Sequence, residues 1–196
     1  MSSVARIARH LYAEAEEKGF WKVENAEVKH MAKIHAELSE ALEEDRRGRP
    51  MLYVDDLETQ ERITDVAIFR GRKPEGAAAE IADFAMMSLE LARHFMIIDD
   101  DEFDDIYSMC RDAYEPHREW DLPEIVLILH NCLVEATAYI GRFDINEKLF
   151  GCQSLLMIVA VAECWLQEKG FQLFDIIQMK LQYNRHNRAY LHGKRY

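Results

Sequence analysis

Apolar residues recur at three- and four-residue intervals along most of this chain, and little interrupts them. Val4, Ile7, Ala8, Leu11, Tyr12 and Ala15 form one such stripe, closed by Gly19. Val28, Met31, Ala32, Ile34, Leu38, Ala41 and Leu42 form a second over residues 25–46, stopped by Arg46-Arg47-Gly48-Arg49-Pro50. Eight Gly and four Pro among 196 residues are too few for a loop-rich β-sandwich, and period-two alternation is almost absent. The fold class read from these features is all-α.

Further helices follow from the same spacing. Residues 51–73 are polar, with a short helix predicted from Asp56 to Phe69. Pro74 suits the first turn of a helix reaching about Phe95. Asp99–Asp105 holds six acids in seven positions, read as a solvated helix start favoured by the helix dipole; that helix runs to about Tyr114. Leu122-Pro123 opens a helix rich in Ile, Val and Leu that ends near Gly141. Two more span about 147–169 and 171–190, divided by Gly170.

The composition narrows the function classes. With 24 Lys+Arg against 36 Asp+Glu, the net charge is −12, so the chain as a whole repels nucleic-acid phosphate. Its first twenty residues mix charges with short apolar steps, unlike a signal peptide. The most apolar stretch, Leu155–Leu166, is short and contains Glu163, which reads as a buried helix and not a membrane span. Cys110, Cys132, Cys152 and Cys164 show no CxxC spacing. The expectation is a soluble, cytoplasmic protein with reduced thiols.

The two halves of the chain resemble each other. Ile34-His35-Ala36-Glu37-Leu38-Ser39-Glu40-Ala41 aligns with Leu129-His130-Asn131-Cys132-Leu133-Val134-Glu135-Ala136, and Phe103-Asp104-Asp105-Ile106 with Phe174-Asp175-Ile176-Ile177. Residues 1–119 and 120–196 therefore read as two copies of one helical unit packed into a single globule, a pseudo-dimer. His35 and His130, equivalent in this register, read as packing or capping residues.

Acidic pairs supply the candidate chemistry. Glu37 and Glu40 share one helix face, as do Glu80 and Asp83 on another helix, each pair flanked by apolar residues. Four carboxylates converging between two helices would repel one another, and a hard divalent cation such as Mg²⁺ or Mn²⁺ relieves that repulsion. Such pairs also occur on solvated faces, and Glu43, Glu44 and Asp45 turn part of this helix toward water. From Lys180 to Tyr196 the charge reverses, with five Lys or Arg and no acid. Lys180, Asn184 and Arg188 fall on one helical stripe, suited either to phosphate contacts or to a helix C-terminus. A di-iron carboxylate bundle would need two ExxH motifs, and only Glu27-Val28-Lys29-His30 fits one.

Four blocks together carry a resemblance. Glu17-Lys18-Gly19-Phe20-Trp21, then His35-Ala36-Glu37-Leu38-Ser39-Glu40-Ala41-Leu42-Glu43-Glu44, then Lys73-Pro74-Glu75-Gly76 with Ala79-Glu80-Ile81-Ala82-Asp83, then Lys180-Leu181-Gln182-Tyr183-Asn184-Arg185 with Tyr190-Leu191-His192-Gly193-Lys194-Arg195 resemble MazG-type nucleotide pyrophosphohydrolases. These belong with dimeric dUTPases and dCTP pyrophosphatases in the all-α NTP pyrophosphatase group. The resemblance implies Mg²⁺-dependent cleavage of a nucleoside triphosphate to the monophosphate and pyrophosphate. It implies that Glu37, Glu40, Glu80 and Asp83 hold the metal, that Glu37 or Glu40 also orients the attacking water, and that Lys180, Asn184 and Arg188 contact phosphate or sugar. Phe20 and Trp21 match the family's early aromatic pair, which either stacks on a base or packs as a hydrophobic staple.

This chain departs from the family pattern in a long spacer between Glu40 and Glu80 and in the insertion of about residues 99–171. Duplication accounts for the second departure: the first copy keeps the acids, while the second keeps Lys180 and Asn184 and has Cys132 in place of Glu37. The expected site is composite, one per chain, with a homodimer of such chains possible. The alternative is a non-catalytic nucleotide-binding or interaction protein with the same fold.

Overall fold

The structure, a computed structural model, describes residues 3–55, 62–64, 72–96, 98–113, 120–140 and 145–186. Those residues form seven α-helices and one two-stranded ribbon: α1 (Val4–Glu17), α2 (Ala26–Arg46), β1 (Val54–Asp55), β2 (Arg62–Ile63), α3 (Ala77–Phe95), α4 (Asp100–Asp112), α5 (Leu122–Ile140), α6 (Ile145–Glu168) and α7 (Leu173–His186). The protein is all-α, as its periodicity predicts.

Helix α3 lies at the centre. From Ala77 to Ala92 every residue except Asp83 is buried, because α1, α2, α6 and α7 all pack against it. Small residues at its start (Ala77, Ala78, Ala79, Ala82) let neighbouring backbones approach closely, while Phe84, Leu89 and Leu91 fill the space further on. Helix α6 is the second core helix and packs on α3, α4 and α5. One continuous apolar cluster runs through both halves of the chain. By length and composition α5 and residues Leu149–Glu168 of α6 are apolar enough to cross a membrane, although the sequence reading found no such span; about two-thirds of the α6 window is buried within the fold.

Helices of residues 1–119 and 120–196 pack on one another. Helix α2 packs on α3 as α5 does on α6, α7 lies on α3 as α4 does on α6, and α2 meets α5 directly. At that last contact the His35 and His130 rings lie nearly parallel, 8° apart, with their Nδ1 atoms 3.0 Å apart. Burial lowers the pKa of both imidazoles. They are therefore packing residues at the seam between the halves.

Two local expectations are corrected. Helix α3 begins at Ala77 and not at Pro74, because Tyr53 and Glu75 exchange backbone hydrogen bonds (3.0 and 2.8 Å) that keep the chain extended up to Gly76. Residues 62 and 63, expected in a helix, pair antiparallel with Asp55 and Val54; residues 56–61 and 65–69 of the expected Asp56–Phe69 helix lie outside the described residues. The acidic run opens α4 as expected, with Asp99 capping it by accepting from the Glu102 N–H (2.8 Å); in addition Asp104 accepts from the Ala5 N–H of α1 (2.8 Å) and Asp100 pairs with Arg9 (2.8 Å). Helix α4 ends at Asp112; Tyr114 lies outside the described residues, as does everything beyond His186. All four cysteines are free thiols.

Candidate functional site

The acidic pairs lie where α2 and α3 pack side by side. On α2, Ile34, Leu38 and Ala41 are fully buried against α3, which turns Glu37 inward beside them and leaves Glu40 one turn on at the exposed edge. On α3, Glu80 sits in the first turn, where the helix dipole favours an anion. Gly76 sets the start of that turn. Its φ is 100°, and a Cβ there would lie 2.6 Å from the Pro50 carbonyl oxygen, so only glycine fits. Upstream, the buried Tyr53 hydroxyl donates to Glu44 Oε2 (2.8 Å) and accepts from Arg49 (3.0 Å), tying the end of α2 to the segment that leads into α3.

One carboxylate oxygen from each of Glu37, Glu40 and Glu80 lies within 4.8 Å of the others. Glu37 and Glu80 are only 8% and 7% exposed. Burial pushes the Glu37 carboxyl up to about 7, helped by the Asp83 charge and opposed by Lys33. Burial likewise raises Glu80 to about 7, here against the opposing charge of Lys180 and with Asp83 adding to the rise. The fourth predicted ligand, Asp83, is near enough to raise both neighbours, yet its own Oδ2 is bound by Lys180 Nζ from α7. Lys180 itself is 5% exposed.

Beside the acids is a cavity of about 250 Å³. Glu37 and Asp83 line it together with Lys180 and Asn184, so the structure brings together the acids of the first half and two basic-motif residues of the second. Arg188, the third residue of that stripe, lies outside the described residues. Phe20 lines the cavity, whereas Trp21 does not. The Trp21 ring stacks on His94 instead (centroids 4.0 Å apart, planes 6° apart), with His30 at 5.0 Å.

Five charged cavity residues have no site role in the sequence reading: Glu14, Lys18, Lys33, Lys73 and Glu90. Lys33 is one turn before Glu37 on the same face and was legible from that spacing. Lys73 forms a 2.6 Å ion pair with Glu75; burial would lower its pKa, but the Glu75 hydrogen bond and the charges of Glu75, Glu80 and Asp83 raise it overall. Glu90 is two turns beyond Asp83 on α3 and is buried. A larger cavity, about 660 Å³, lies between α1, α4, α6 and α7. Its buried Glu163 is already engaged by the Tyr107 hydroxyl (2.8 Å) and by Arg111 (3.3 Å), so it offers paired groups and no convergent set of acids.

What the smaller site can do follows from its donors. An all-oxygen set with no Cys or His suits a hard divalent cation, and crowded buried carboxylates are stabilised by one. Lysines reach the same cavity from α2, from the segment before α3 and from α7, and they complement an anionic ligand. No family model, curated protein or solved structure matches this chain.

Proposed function

We propose that this protein is a divalent-metal-dependent nucleoside triphosphate pyrophosphohydrolase, cleaving a (deoxy)nucleoside triphosphate to the monophosphate and pyrophosphate. The observation that carries the reading is the convergence of Glu37, Glu40 and Glu80 beside a cavity that also holds Lys180 and Asn184. A triphosphate needs both signs at once: acids to recruit a cation, and cations to meet its outer oxygens.

Glu37, Glu40 and Glu80 would hold Mg²⁺ or Mn²⁺, with Asp83 alongside. When bound, the ion supplies positive charge that polarises the phosphoryl group and makes a water more acidic. The chain's own groups do the rest. Glu37 or Glu40 orients the attacking water by accepting its hydrogens, directed at the α-phosphorus. Lys180, released from Asp83 or shared with it, neutralises charge that builds on the departing pyrophosphate; Lys33 and Lys73 meet the remaining oxygens.

The site is composite within one chain, with acids from residues 1–119 and basic groups from 120–196. The pairwise packing of α2–α3 and α5–α6, and the His35–His130 contact between equivalent positions, support descent of the halves from one duplicated unit.

The test is pyrophosphate release across a nucleotide panel with Mg²⁺, compared with Glu40→Gln. Glu40 is exposed, so its replacement leaves the helices folded. Turnover is expected to fall by at least about a hundredfold. Retained turnover in the variant would refute the site, and nucleotide binding without turnover by the wild type would refute the activity.

A further inference from the structure

The larger cavity, about 660 Å³ between α1, α4, α6 and α7, has no part in the phosphate chemistry. Its volume lies within the roughly 300–1,000 Å³ typical of small-molecule sites. Three carboxylates line it, Asp104 from α4, Glu163 from α6 and Asp175 from α7, against one guanidinium, that of Arg111. This guanidinium is already committed: Nε faces Glu163 at 3.3 Å, and Nη2 donates to Gln167 (3.2 Å). The Tyr107 hydroxyl likewise spends its proton on Glu163 (2.8 Å).

Acceptors, by contrast, are left over. Glu163 is 5% exposed, and both of its contacts go to Oε2, so Oε1 accepts no hydrogen bond among the described residues. Asp104 gives Oδ1 to the Ala5 N–H, and the exposed Asp175 carboxylate makes no hydrogen bond or ion pair among the described residues. An unengaged acceptor on a nearly buried carboxylate is costly unless a donor reaches it. A single metal ion does not answer the need. Among the described residues only Glu37, Glu40 and Glu80 bring three such groups within 4.8 Å of one another, so Asp104, Glu163 and Asp175 are too far apart to share one. The Tyr107 and Phe174 rings line the same cavity edge to face, with centroids 6.2 Å apart, and ring faces attract ammonium groups.

From this arrangement we infer a second ligand site, for an aliphatic di- or polyamine, separate from the acids of α2 and α3. A polyamine carries N–H donors and positive charges spaced along an apolar chain, which is what dispersed carboxylates and two rings ask for. One ammonium donates to Glu163 Oε1, another meets Asp175 at the exposed rim, and the methylenes between them lie against Tyr107 and Phe174. A nucleotide or other anion is rejected, because it meets three carboxylates while Arg111 is engaged.

Calorimetric titration of spermidine into the full chain, at physiological salt and with excess Mg²⁺, tests the site. Wild-type binding is expected at one spermidine per chain. Glu163→Gln removes the buried charge and should weaken binding at least about tenfold. Asp175→Asn, at an exposed position, should weaken it about threefold. No binding to the wild type overturns the proposal. So does an unchanged affinity in Glu163→Gln that circular dichroism shows to be folded, since the titration then reports diffuse attraction to an acidic surface. Should Glu163→Gln fail to fold, an unchanged affinity in Asp175→Asn overturns it instead. Putrescine is expected to compete with spermidine, and triethylene glycol, an uncharged chain of similar length, is not; competition by the glycol removes the role of the carboxylates. No nucleotide is present, so the outcome stands whether or not the chain hydrolyses one.

Discussion

Replacing Glu37 with glutamine should make the metal-free protein more stable at high pH while destroying its proposed activity. The Glu37 carboxyl rises from 4.5 to about 7 in the fold, chiefly through burial and then through the Asp83 charge. A raised acid contributes stability that is fully present below its unfolded value and is lost as pH climbs through the folded value. At about 1.4 kcal/mol per pH unit, that interval corresponds to roughly 3 kcal/mol lost between pH 4.5 and pH 8. Glutamine has no proton to lose, so the variant avoids the loss. His30 runs in the opposite sense: its pKa drops to about 4, and its contribution is lost as pH falls. Wild type and variant share His30, so its contribution cancels in the difference between them. Urea denaturation in EDTA at pH 5, 6, 7 and 8 should show the variant gaining on the wild type by about 2–3 kcal/mol across the series. Added Mg²⁺ at pH 8 should stabilise the wild type more than the variant. Parallel pH profiles for the two chains would refute the crowded-carboxylate argument.

Two further perturbations test how the site is positioned. Tyr53→Phe removes the hydroxyl that donates to buried Glu44, and it should cost about 1–2 kcal/mol in chemical denaturation while leaving metal affinity nearly intact. Gly76→Ala meets both a positive φ and a 2.6 Å clash with the Pro50 carbonyl oxygen; a loss above about 2 kcal/mol is expected, together with weaker Mg²⁺ binding as the first turn of α3 shifts Glu80. Gly48→Ala is the control, since its φ is also positive (63°) but nothing lies within 4 Å of the added Cβ, and only about 1 kcal/mol should be lost.

Legibility divided along physical lines. Helical periodicity located the helices because burial of one stripe is a local property of each segment, visible as Val4-Ile7-Leu11 or Ile34-Leu38-Ala41. Where a segment's state depends on a distant partner, the sequence misled: Pro74 is a good first-turn residue, yet the Tyr53–Glu75 pairing holds it outside the helix. Glu37, Glu40, Glu80 and Asp83 stood out through spacing and family resemblance, since residues three apart share a face wherever the helix ends up. Glu90 shares the face of Asp83 by the same logic, two turns on. What could not be read was that both turns are buried, so Glu90 passed as one more helical acid. Trp21 shows the converse case: an aromatic residue can be recognised from sequence, but that its face is taken by His94 depends on how α3 ends.

Charge placement gives the strongest reason to treat this cleft as functional and not merely structural. The chain carries an excess of twelve negative charges, with ample exposed surface on which to hold them. Even so, Glu37 on α2 and Glu80 and Glu90 on α3 are each less than a tenth exposed, and burial raises the pKa of every one. Folding gains nothing from this, because an apolar side chain at each position would pack without the desolvation cost. Lys180 binds Asp83 and its charge opposes the rise at Glu80, as that of Lys33 does at Glu37, yet both carboxyls stay raised. The rest of the molecule is arranged to tolerate the strain: α3 is buried along most of its length, Gly76 fixes its first turn, and the Tyr53–Glu44–Arg49 network braces the approach. Buried, crowded carboxylates of this kind are what the proposed divalent cation would stabilise.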